Sequence, residues 1–132
     1  MDDPEWIIIE EVIALHADQL SLHGGADGIR DLNLLASAVS RPRQLFAYSD
    51  PTPDVPALAA AYAVAIAKNH AFIDGNKRAA LAVSLTFLDR NGYEMTAELD
   101  DRFEKFLALA SGELEEDAFG AWLSANVRRA WA

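Results

Sequence analysis

The chain contains no cysteine, which excludes both a disulfide framework and a metal site built on thiolates. Its apolar runs are short and interrupted by charged residues, so none reaches the roughly 20 residues that a membrane-spanning helix needs. The first residues, Met1-Asp2-Asp3, are acidic where the start of a signal peptide would be basic. We therefore expect a soluble cytoplasmic protein that has no membrane partner.

Positive charge is also scarce, because 11 Lys and Arg residues stand against 21 Asp and Glu residues, giving a net charge of −10. Such a chain repels nucleic acid, since non-specific binding to nucleic acid depends on the neutralisation of phosphates. We therefore expect no direct nucleic-acid partner. The acidic excess could instead meet a basic partner segment, but solubility is the simpler explanation. Against this background Lys77 and Arg78, two adjacent cations, stand out.

Length and composition predict one globular domain over residues 1–132, with 52% hydrophobic and 24% charged residues. Apolar residues recur at helical spacing, and we find no convincing strand. The predicted fold class is therefore all-α, a single compact domain of six helices. These helices are expected at residues 5–20, 31–39, 54–69, 79–91, 99–110 and 113–128.

Several local signals set the expected ends of these helices. Asp31 is a good N-cap for the second helix, and Pro42 is expected to stop it. Residues 43–56 are the least regular stretch, and residues 48–54 within it contain two prolines and several turn formers, which predicts an exposed loop that could sit over a site. The third helix is rich in alanine, so close packing on all sides is possible and a central, buried position is expected.

The loop between the third and fourth helices reads His70-Ala71-Phe72-Ile73-Asp74-Gly75-Asn76-Lys77-Arg78. A helix that begins near Asn76 presents unpaired N–H groups and about half a positive charge, which together form a natural anion site. Gly75 lets an anion approach the backbone closely, and Asn76 can cap the helix. Lys77 and Arg78 add charge in the same turn. Cations in a first turn oppose the helix dipole, and a bound phosphate would offset this unfavourable charge, which is the simplest explanation for the two residues.

Two further residues of the loop complete a possible reaction site. Mg²⁺ prefers carboxylate oxygens and often bridges phosphates, which makes Asp74 the candidate metal ligand. An imidazole changes charge near neutral pH, so His70 is the candidate general base for a hydroxyl group. Phe72 is expected to fill the core and hold the loop. The set favours phosphoryl or nucleotidyl transfer.

Each of these residues also has an ordinary structural explanation. His70 alone could bond a carbonyl at the end of its helix, and residues 74–76 alone could form a turn with a cap. Lys77 and Arg78 alone could be solvated surface residues. No single residue favours catalysis over these explanations; the joint spacing does.

The motif His70-x-Phe72-x-Asp74-Gly75-Asn76-Lys77-Arg78 resembles the signature of the Fic/Doc family, most closely its Doc (death-on-curing) toxin branch. Further similarities extend over most of the chain. They are Ile13-x-x-His16, Gly24-Gly25-x-x-Gly28-x-Arg30-Asp31, Leu35-x-x-Ala38, Arg41-Pro42, Ala59-Ala60-x-Tyr62, Phe87-Leu88-x-x-Asn91-Gly92-Tyr93 and Trp122-Leu123. The family fold is a small all-α core, in agreement with the helix pattern. Outside the motif, we expect His16 to be a packing histidine and Arg30-Asp31 to be an ion pair or a cap.

The resemblance implies a role for each residue of the motif. His70 would be the general base, and Asp74 would hold Mg²⁺. Gly75 and Asn76 would shape the anion pocket, while the side chains of Lys77 and Arg78 would hold the phosphates of ATP.

Two departures from the general Fic pattern bear on which phosphate is transferred. Fic adenylyltransferases typically read His-Pro-Phe-x-Asp/Glu-Gly-Asn-Gly-Arg-x-x-Arg, whereas this chain has Ala71 at the proline, Lys77 at the second glycine and Leu81 at the last arginine. A lysine side chain fills the space that a glycine leaves open, and Leu81 removes a cation. The resemblance to the Doc branch therefore implies an inverted nucleotide and transfer of the γ-phosphate to a protein hydroxyl. The implied target is translation elongation factor Tu, so that protein synthesis would stop.

The resemblance also implies a separate antitoxin. Residues 111–116 match the inhibitory motif of some Fic proteins incompletely, so we expect inhibition in trans by a Phd-like antitoxin whose disordered segment folds onto exposed apolar surface. Two other hypotheses stay open: an adenylyltransferase with a degenerate motif, and a non-catalytic nucleotide- or protein-binding module. A hydrolase that depends on metal alone is weaker, because one carboxylate and three scattered histidines do not make a ligand set.

Overall fold

The computed structural model describes residues 3–130 and shows six α-helices and a two-stranded sheet. The helices are α1 (Ile9–His23), α2 (Leu32–Tyr48), α3 (Val55–Asn69), α4 (Asn76–Arg90), α5 (Leu99–Ser111) and α6 (Glu116–Ala125). The strands are β1 (Tyr93–Met95) and β2 (Val127–Arg129). The prediction of an all-α fold with six helices is confirmed, apart from this small sheet.

Helix α3 lies at the centre of the helical core, as its alanine content predicts. Most of its residues are buried, and it packs against α2, α4 and α6. Small side chains let three helices approach it closely, so that dispersion contacts accumulate on every side. The helix begins where expected, because the carboxylate of Asp54 accepts a hydrogen bond from the Ala57 amide at 2.9 Å and Pro56 lies in its first turn. Its other end places His70 at the surface.

Helix α2 continues through Pro42 to Tyr48, so the prediction that Pro42 stops it is wrong. Leu35, Ala38, Val39 and Pro42 follow helical spacing and are all buried. A proline inside a helix removes one hydrogen bond, but packing of the whole apolar face supplies most of the stability of such a helix. The irregular stretch therefore shrinks to residues 49–54. Residues of this loop line a cleft with α6 instead of covering the motif.

The two strands were missed in the sequence, where the sixth helix was expected to run through residues 113–128. Helix α6 ends at Ala125, and the chain then pairs in antiparallel register with Tyr93–Met95. Arg128 forms an ion pair with Glu94, and the Arg129 guanidinium lies 4.9 Å from the centre of the Tyr93 ring. These partners are more than 30 residues apart in sequence, so local helical propensity could not reveal the pairing.

Helix α5 leaves part of its apolar surface uncovered. Phe106 and Leu109 pack into the core, while Leu99, Phe103 and Leu107 are 65%, 53% and 58% exposed. These last three residues follow one another at intervals of four and form one face, which we call the α5 stripe. Length and hydropathy rule out a membrane crossing for every helix within residues 3–130.

The N-terminal segment is fixed to the core by a buried phenol. The Tyr62 hydroxyl accepts a hydrogen bond from the Ile7 amide at 3.1 Å and donates one to the Ile7 carbonyl at 3.2 Å. Both residues are fully buried. Burial raises the pKa of Tyr62, so the hydroxyl stays protonated and can donate near neutral pH.

Replacing Tyr62 by Phe should therefore destabilise the protein. The variant leaves the buried amide and carbonyl of Ile7 without their partner, which costs roughly 1–3 kcal/mol. Urea unfolding at pH 7, followed by circular dichroism, measures the loss. Tyr48→Phe is the matched control, because Tyr48 is 88% exposed and its change should be close to zero. Equal stability of the two variants would contradict the role assigned to the Tyr62 hydroxyl.

Candidate active site

The loop between α3 and α4 is bracketed by two residues in the left-handed backbone region. His70 follows the last residue of α3 with φ = 50° and ψ = 44°, and Gly75 precedes α4 with φ = 79°. Among the non-glycine residues of the described chain, His70 alone has a positive φ. Such a conformation costs on the order of 1–3 kcal/mol and persists where the surrounding structure over-determines it.

His16 and Phe72 fix the loop from the inside. Both side chains are buried, and their rings stack with centres 3.7 Å apart and planes 6° apart. Nε2 of His16 lies 2.7 Å from the Asp74 carbonyl oxygen. Because a carbonyl only accepts, Nε2 carries the proton and donates it. The predictions that His16 is a packing histidine and that Phe72 fills the core are both confirmed.

Asn76 closes the loop on itself instead of capping α4. Its Oδ1 accepts from the Phe72 amide at 3.0 Å, and its Nδ2 donates to the Phe72 carbonyl at 3.0 Å. The prediction that Asn76 is the N-cap is therefore wrong: Gly75 takes that position because its backbone is left-handed, and Asn76 is the first helical residue. The first intrahelical bond at this end runs from the Ala79 amide to the Gly75 carbonyl at 2.9 Å. Helix geometry leaves the N–H groups of residues 76–78 without an intrahelical acceptor.

The carboxylate of Asp74 has a fixed orientation although it is exposed. Oδ1 accepts from the Gly75 amide at 2.9 Å, and Oδ2 accepts from the Ala26 amide at 3.2 Å. Ala26 belongs to the segment between α1 and α2, which runs beside the motif. One lone pair on each oxygen stays available for a cation, because a carboxylate offers about four acceptor sites. A hard cation such as Mg²⁺ fits this group.

A cavity of about 460 Å³ brings the candidate residues together. All six residues that the sequence singled out, namely His70, Asp74, Gly75, Asn76, Lys77 and Arg78, line it, together with Gly24 and Ile73. One carboxylate therefore faces an imidazole, two cations and the positive end of a helix. This arrangement suits an anion, and it differs in sign from the acidic surface of the whole chain.

Another cavity, of about 510 Å³, lies between the 49–54 loop and α6. Its charged lining consists of Asp54, Glu116 and Asp117. Glu116 forms an ion pair with Arg41 at 2.5 Å, while the carboxylates of Asp54 and Asp117 repel anions. The lining of this cavity contains no histidine to act as a base. The motif cavity is therefore the candidate active site although it is slightly smaller.

A cation in the motif cavity would need ligands from outside the protein. Over residues 3–130, no three His, Asp or Glu side chains come close enough together to hold a metal ion. Asp74 is the one carboxylate that lines the motif cavity. Mg²⁺ commonly completes its octahedral shell with water and substrate phosphates, so one protein carboxylate is compatible with such a site.

Sequence reasoning missed how closely residues 24–31 approach the loop. The glycines of this segment contributed to the family resemblance in the sequence, but they did not indicate a contact with the loop. In the structure the Ile73 amide donates to the Gly28 carbonyl at 3.0 Å, and Ile29 pairs with Phe72 as an isolated β-bridge. The signal that could have revealed this contact is the spacing Gly24-Gly25-x-x-Gly28, because closely approaching backbones favour residues without Cβ.

Residues 30–31 were predicted to form an ion pair or a cap, and the cap is confirmed. Asp31 caps α2, because its carboxylate accepts from the Leu34 amide at 3.0 Å. Arg30 instead turns towards the motif, where its Nε donates to the His70 carbonyl at 2.7 Å. Sequence reasoning did not identify this contact, which spans 40 residues.

Comparison of the sequence with known proteins gives the same family for the family model and for two similar proteins. Residues 6–88 match the model of the Fic/DOC family. The chain is 39% identical to Toxin Doc of Mycolicibacterium smegmatis over 103 residues, which cover 76% of this chain and 79% of that protein. It is 41% identical to Protein kinase doc of Escherichia phage P1 over 86 residues, which cover 65% of this chain and 68% of that protein.

Alanine substitutions at Gly24 and Gly25 can test whether residues 24–31 hold Asp74 in place. Both have positive φ, so an alanine at either position is strained. A Cβ at Gly25 would lie 2.9 Å from Asp74 Oδ2 and from a Leu20 methyl group, whereas a Cβ at Gly24 meets nothing within 4 Å. We expect Gly25→Ala to displace Asp74, to shift the amide NMR signals of Ala26 and Gly75, and to lose more stability than Gly24→Ala. Identical spectra and equal unfolding free energies for the two variants would contradict this contact.

Proposed function

The chain belongs to the Fic/Doc family, and from this membership and its cavity we propose that it is the toxin of a toxin–antitoxin system and acts as a protein kinase. The proposed reaction transfers the γ-phosphate of ATP to a Ser or Thr hydroxyl of translation elongation factor Tu in the cytoplasm, and translation stops. The observation that carries the proposal is that a base, a carboxylate and two cations line one cavity at a helix N-terminus.

The N-terminus of α4 would receive the transferred phosphoryl group. The N–H groups of residues 76–78 point out of the helix end, and Lys77 and Arg78 bring two side-chain cations to the same cavity. Phosphoryl transfer needs little covalent chemistry from the protein and depends mostly on positioning and charge stabilisation. A rigid helix end supplies both, because its dipoles are already oriented before the substrate binds.

Asp74 would hold Mg²⁺, which neutralises charge on the phosphate oxygens when it is bound. The support for this assignment is the orientation of the carboxylate, because each of its two oxygens accepts a hydrogen bond from a different backbone amide. Asp74 follows its buried neighbour Phe72 by two residues, so its position is tied to the core.

His70 would act as the general base. It would take the proton of the substrate hydroxyl while the hydroxyl oxygen bonds to the γ-phosphorus. The bond between that phosphorus and the bridging oxygen breaks, and ADP leaves with the electron pair. His70 is exposed at the end of α3 and lines the cavity, so a protein substrate can reach it. Removing such a base costs about 10²–10⁴-fold in rate.

Kinase activity is favoured over adenylyl transfer by the two positions that depart from the general Fic pattern. The side chain of Lys77 lines the cavity where a glycine would leave the helix backbone open to the nucleotide. Leu81 lies one turn further, in an adjoining cleft of about 240 Å³ whose lining also includes Lys77, Arg78 and three apolar side chains of α5. The Leu81 side chain is apolar and supplies no cation for the outer phosphates. An adenylyltransferase and a non-catalytic module stay as alternatives.

The decisive measurement uses elongation factor Tu, Mg²⁺ and ATP labelled at the α- or the γ-phosphate. We expect label on the factor from γ-labelled ATP alone. His70→Ala should reduce transfer by about 10²-fold or more. His23→Ala is the matched control, because His23 is exposed at the end of α1 and does not line the cavity, so full activity is expected.

The other outcomes separate the alternatives. Transfer of the α-label would replace the kinase by an adenylyltransferase. Nucleotide binding without transfer of either label would favour the non-catalytic module. Full activity of His70→Ala would remove His70 as the base.

We further propose that a Phd-like antitoxin covers the α5 stripe. Three exposed apolar side chains in a row are unusual on a free surface and suit the apolar face of a segment that folds on binding. The adjoining cleft contains Lys77 and Arg78, so a segment lying on the stripe reaches the edge of the motif cavity. The exposed Asp100, Asp101 and Glu104 border the other side, which favours basic residues in the partner.

Binding of a co-expressed Phd-like antitoxin should therefore be sensitive to Leu107→Ser. Full burial of a leucine side chain contributes about 1.5–3 kcal/mol, so covering the exposed half of Leu107 contributes about 1 kcal/mol, or roughly 5-fold in dissociation constant. Leu22→Ser is the matched control, because Leu22 is a 73% exposed leucine on α1. Calorimetric titration of both variants decides. Loss of affinity in Leu22→Ser alone would move the docking surface to α1.

A further inference from the structure

The turn that follows α3 has its three carbonyl groups bonded to one short segment. Arg30 Nε donates to the His70 carbonyl at 2.7 Å, and Arg30 Nη2 donates to the Asn69 carbonyl at 3.4 Å. The backbone amides of Arg30 and Asp31 both donate to the Ala71 carbonyl, at 2.7 and 3.0 Å. These carbonyls lie at a helix C-terminus, where the helix itself provides no donor and where positive charge is favourable.

The position of these bonds determines the conformation of His70. The Asn69 carbonyl belongs to the peptide plane before the His70 Cα, and the His70 carbonyl belongs to the plane after it. Since φ and ψ describe the rotations between these two planes, one guanidinium that bonds both planes restrains both angles. The direction of the Cα–Cβ bond follows from them, and this bond sets where the imidazole can reach. This explains how His70 holds φ = 50°, which a residue with a Cβ otherwise adopts rarely.

Arg30 is itself held on both sides. The next residue, Asp31, caps α2, and the preceding Ile29 pairs with Phe72. The Asn69 side chain donates to the Leu34 carbonyl at 3.1 Å, which joins the end of α3 to the first turn of α2. Arg30 is exposed, so its side chain does not fill the core. Its contacts are hydrogen bonds to the turn, and their effect is conformational.

We propose that Arg30 is a positioning residue for the reaction: it holds the residue-70 backbone in the left-handed conformation that directs the imidazole into the motif cavity. This inference rests on the proposed function in one respect, the role of His70 as the base. Arg30 does not line the motif cavity, so the proposed role acts through the backbone of residue 70 and requires no contact with the nucleotide or the metal.

The test compares Arg30→Ala and Arg30→Lys with Arg128→Ala. Arg128 is an exposed arginine whose ion pair with Glu94 lies on the two-stranded sheet, so it controls for the loss of one surface cation. We expect Arg30→Ala to lower kcat by about 10²-fold, the typical effect of misplacing a catalytic group, with KM for ATP nearly unchanged. Arg30→Lys keeps one donor and should retain intermediate activity. Added methylguanidine should restore part of the kcat of Arg30→Ala, which it would not do for a variant that is merely less stable.

A second readout does not depend on activity. The ¹³Cα and ¹³Cβ chemical shifts of residue 70 depend on its backbone angles, so they should move away from left-handed values in Arg30→Ala and stay unchanged in Arg128→Ala. Unchanged shifts together with an unchanged kcat would overturn the proposal. A rise in KM for ATP alone would also overturn it, because Arg30 would then act on the nucleotide. If His70→Ala keeps full activity, the proposed base is wrong, and the chemical shifts still decide whether Arg30 fixes the conformation of residue 70.

Discussion

Close packing around the alanine-rich α3 is the constraint on which the other features depend. Because its buried faces carry side chains no larger than methyl groups at many positions, α2, α4 and α6 can all contact it. A helix that is enclosed on several sides cannot shift along its axis without losing contacts on each of them. The end of α3 is therefore fixed relative to the start of α4, and the nine-residue motif runs from the one into the first turn of the other.

The motif loop contains little regular structure, yet hydrogen bonds from several sides hold its backbone in place. His16 supplies a donor from the inside, and Asn76 closes the loop through its own side chain. Residues 24–31 supply backbone and side-chain donors from the outside. Such a loop can keep the backbone of His70 in the left-handed conformation and the carboxylate of Asp74 in one orientation before any substrate binds. Preorganisation of this kind is the main contribution that a protein makes to phosphoryl transfer.

The charge distribution supports the same interpretation. A chain with net charge −10 brings Lys77 and Arg78 together at a helix N-terminus, where cations are locally unfavourable. The acidic excess of the chain disfavours binding of nucleic acid, while the cations that line the cavity suit a small anion. The neighbouring α5 stripe adds apolar surface beside the same two cations. The proposed anion site and the proposed docking surface thus adjoin each other, which would allow a partner to control access to the site.

Much of this protein is determined by the sequence alone, wherever the relevant interactions are local. Helical periodicity, the N-cap at Asp31, and the alanines of α3 gave six helices with a central third helix. The candidate site residues are brought together because they lie within nine consecutive positions, so their shared cavity needed no knowledge of the fold. The family resemblance could be recognised for the same reason.

The tertiary structure decided what depends on contacts between distant residues. Burial of one face carries α2 through Pro42, and pairing across more than 30 residues turns the end of the expected sixth helix into β2. The side chain of Asn76 bonds Phe72 because the loop folds back on itself, and Gly75 becomes the cap instead. Arg30 reaches His70 across 40 residues. Local propensity carries no information about such partners, since the energy of each contact exists only after the helices have packed.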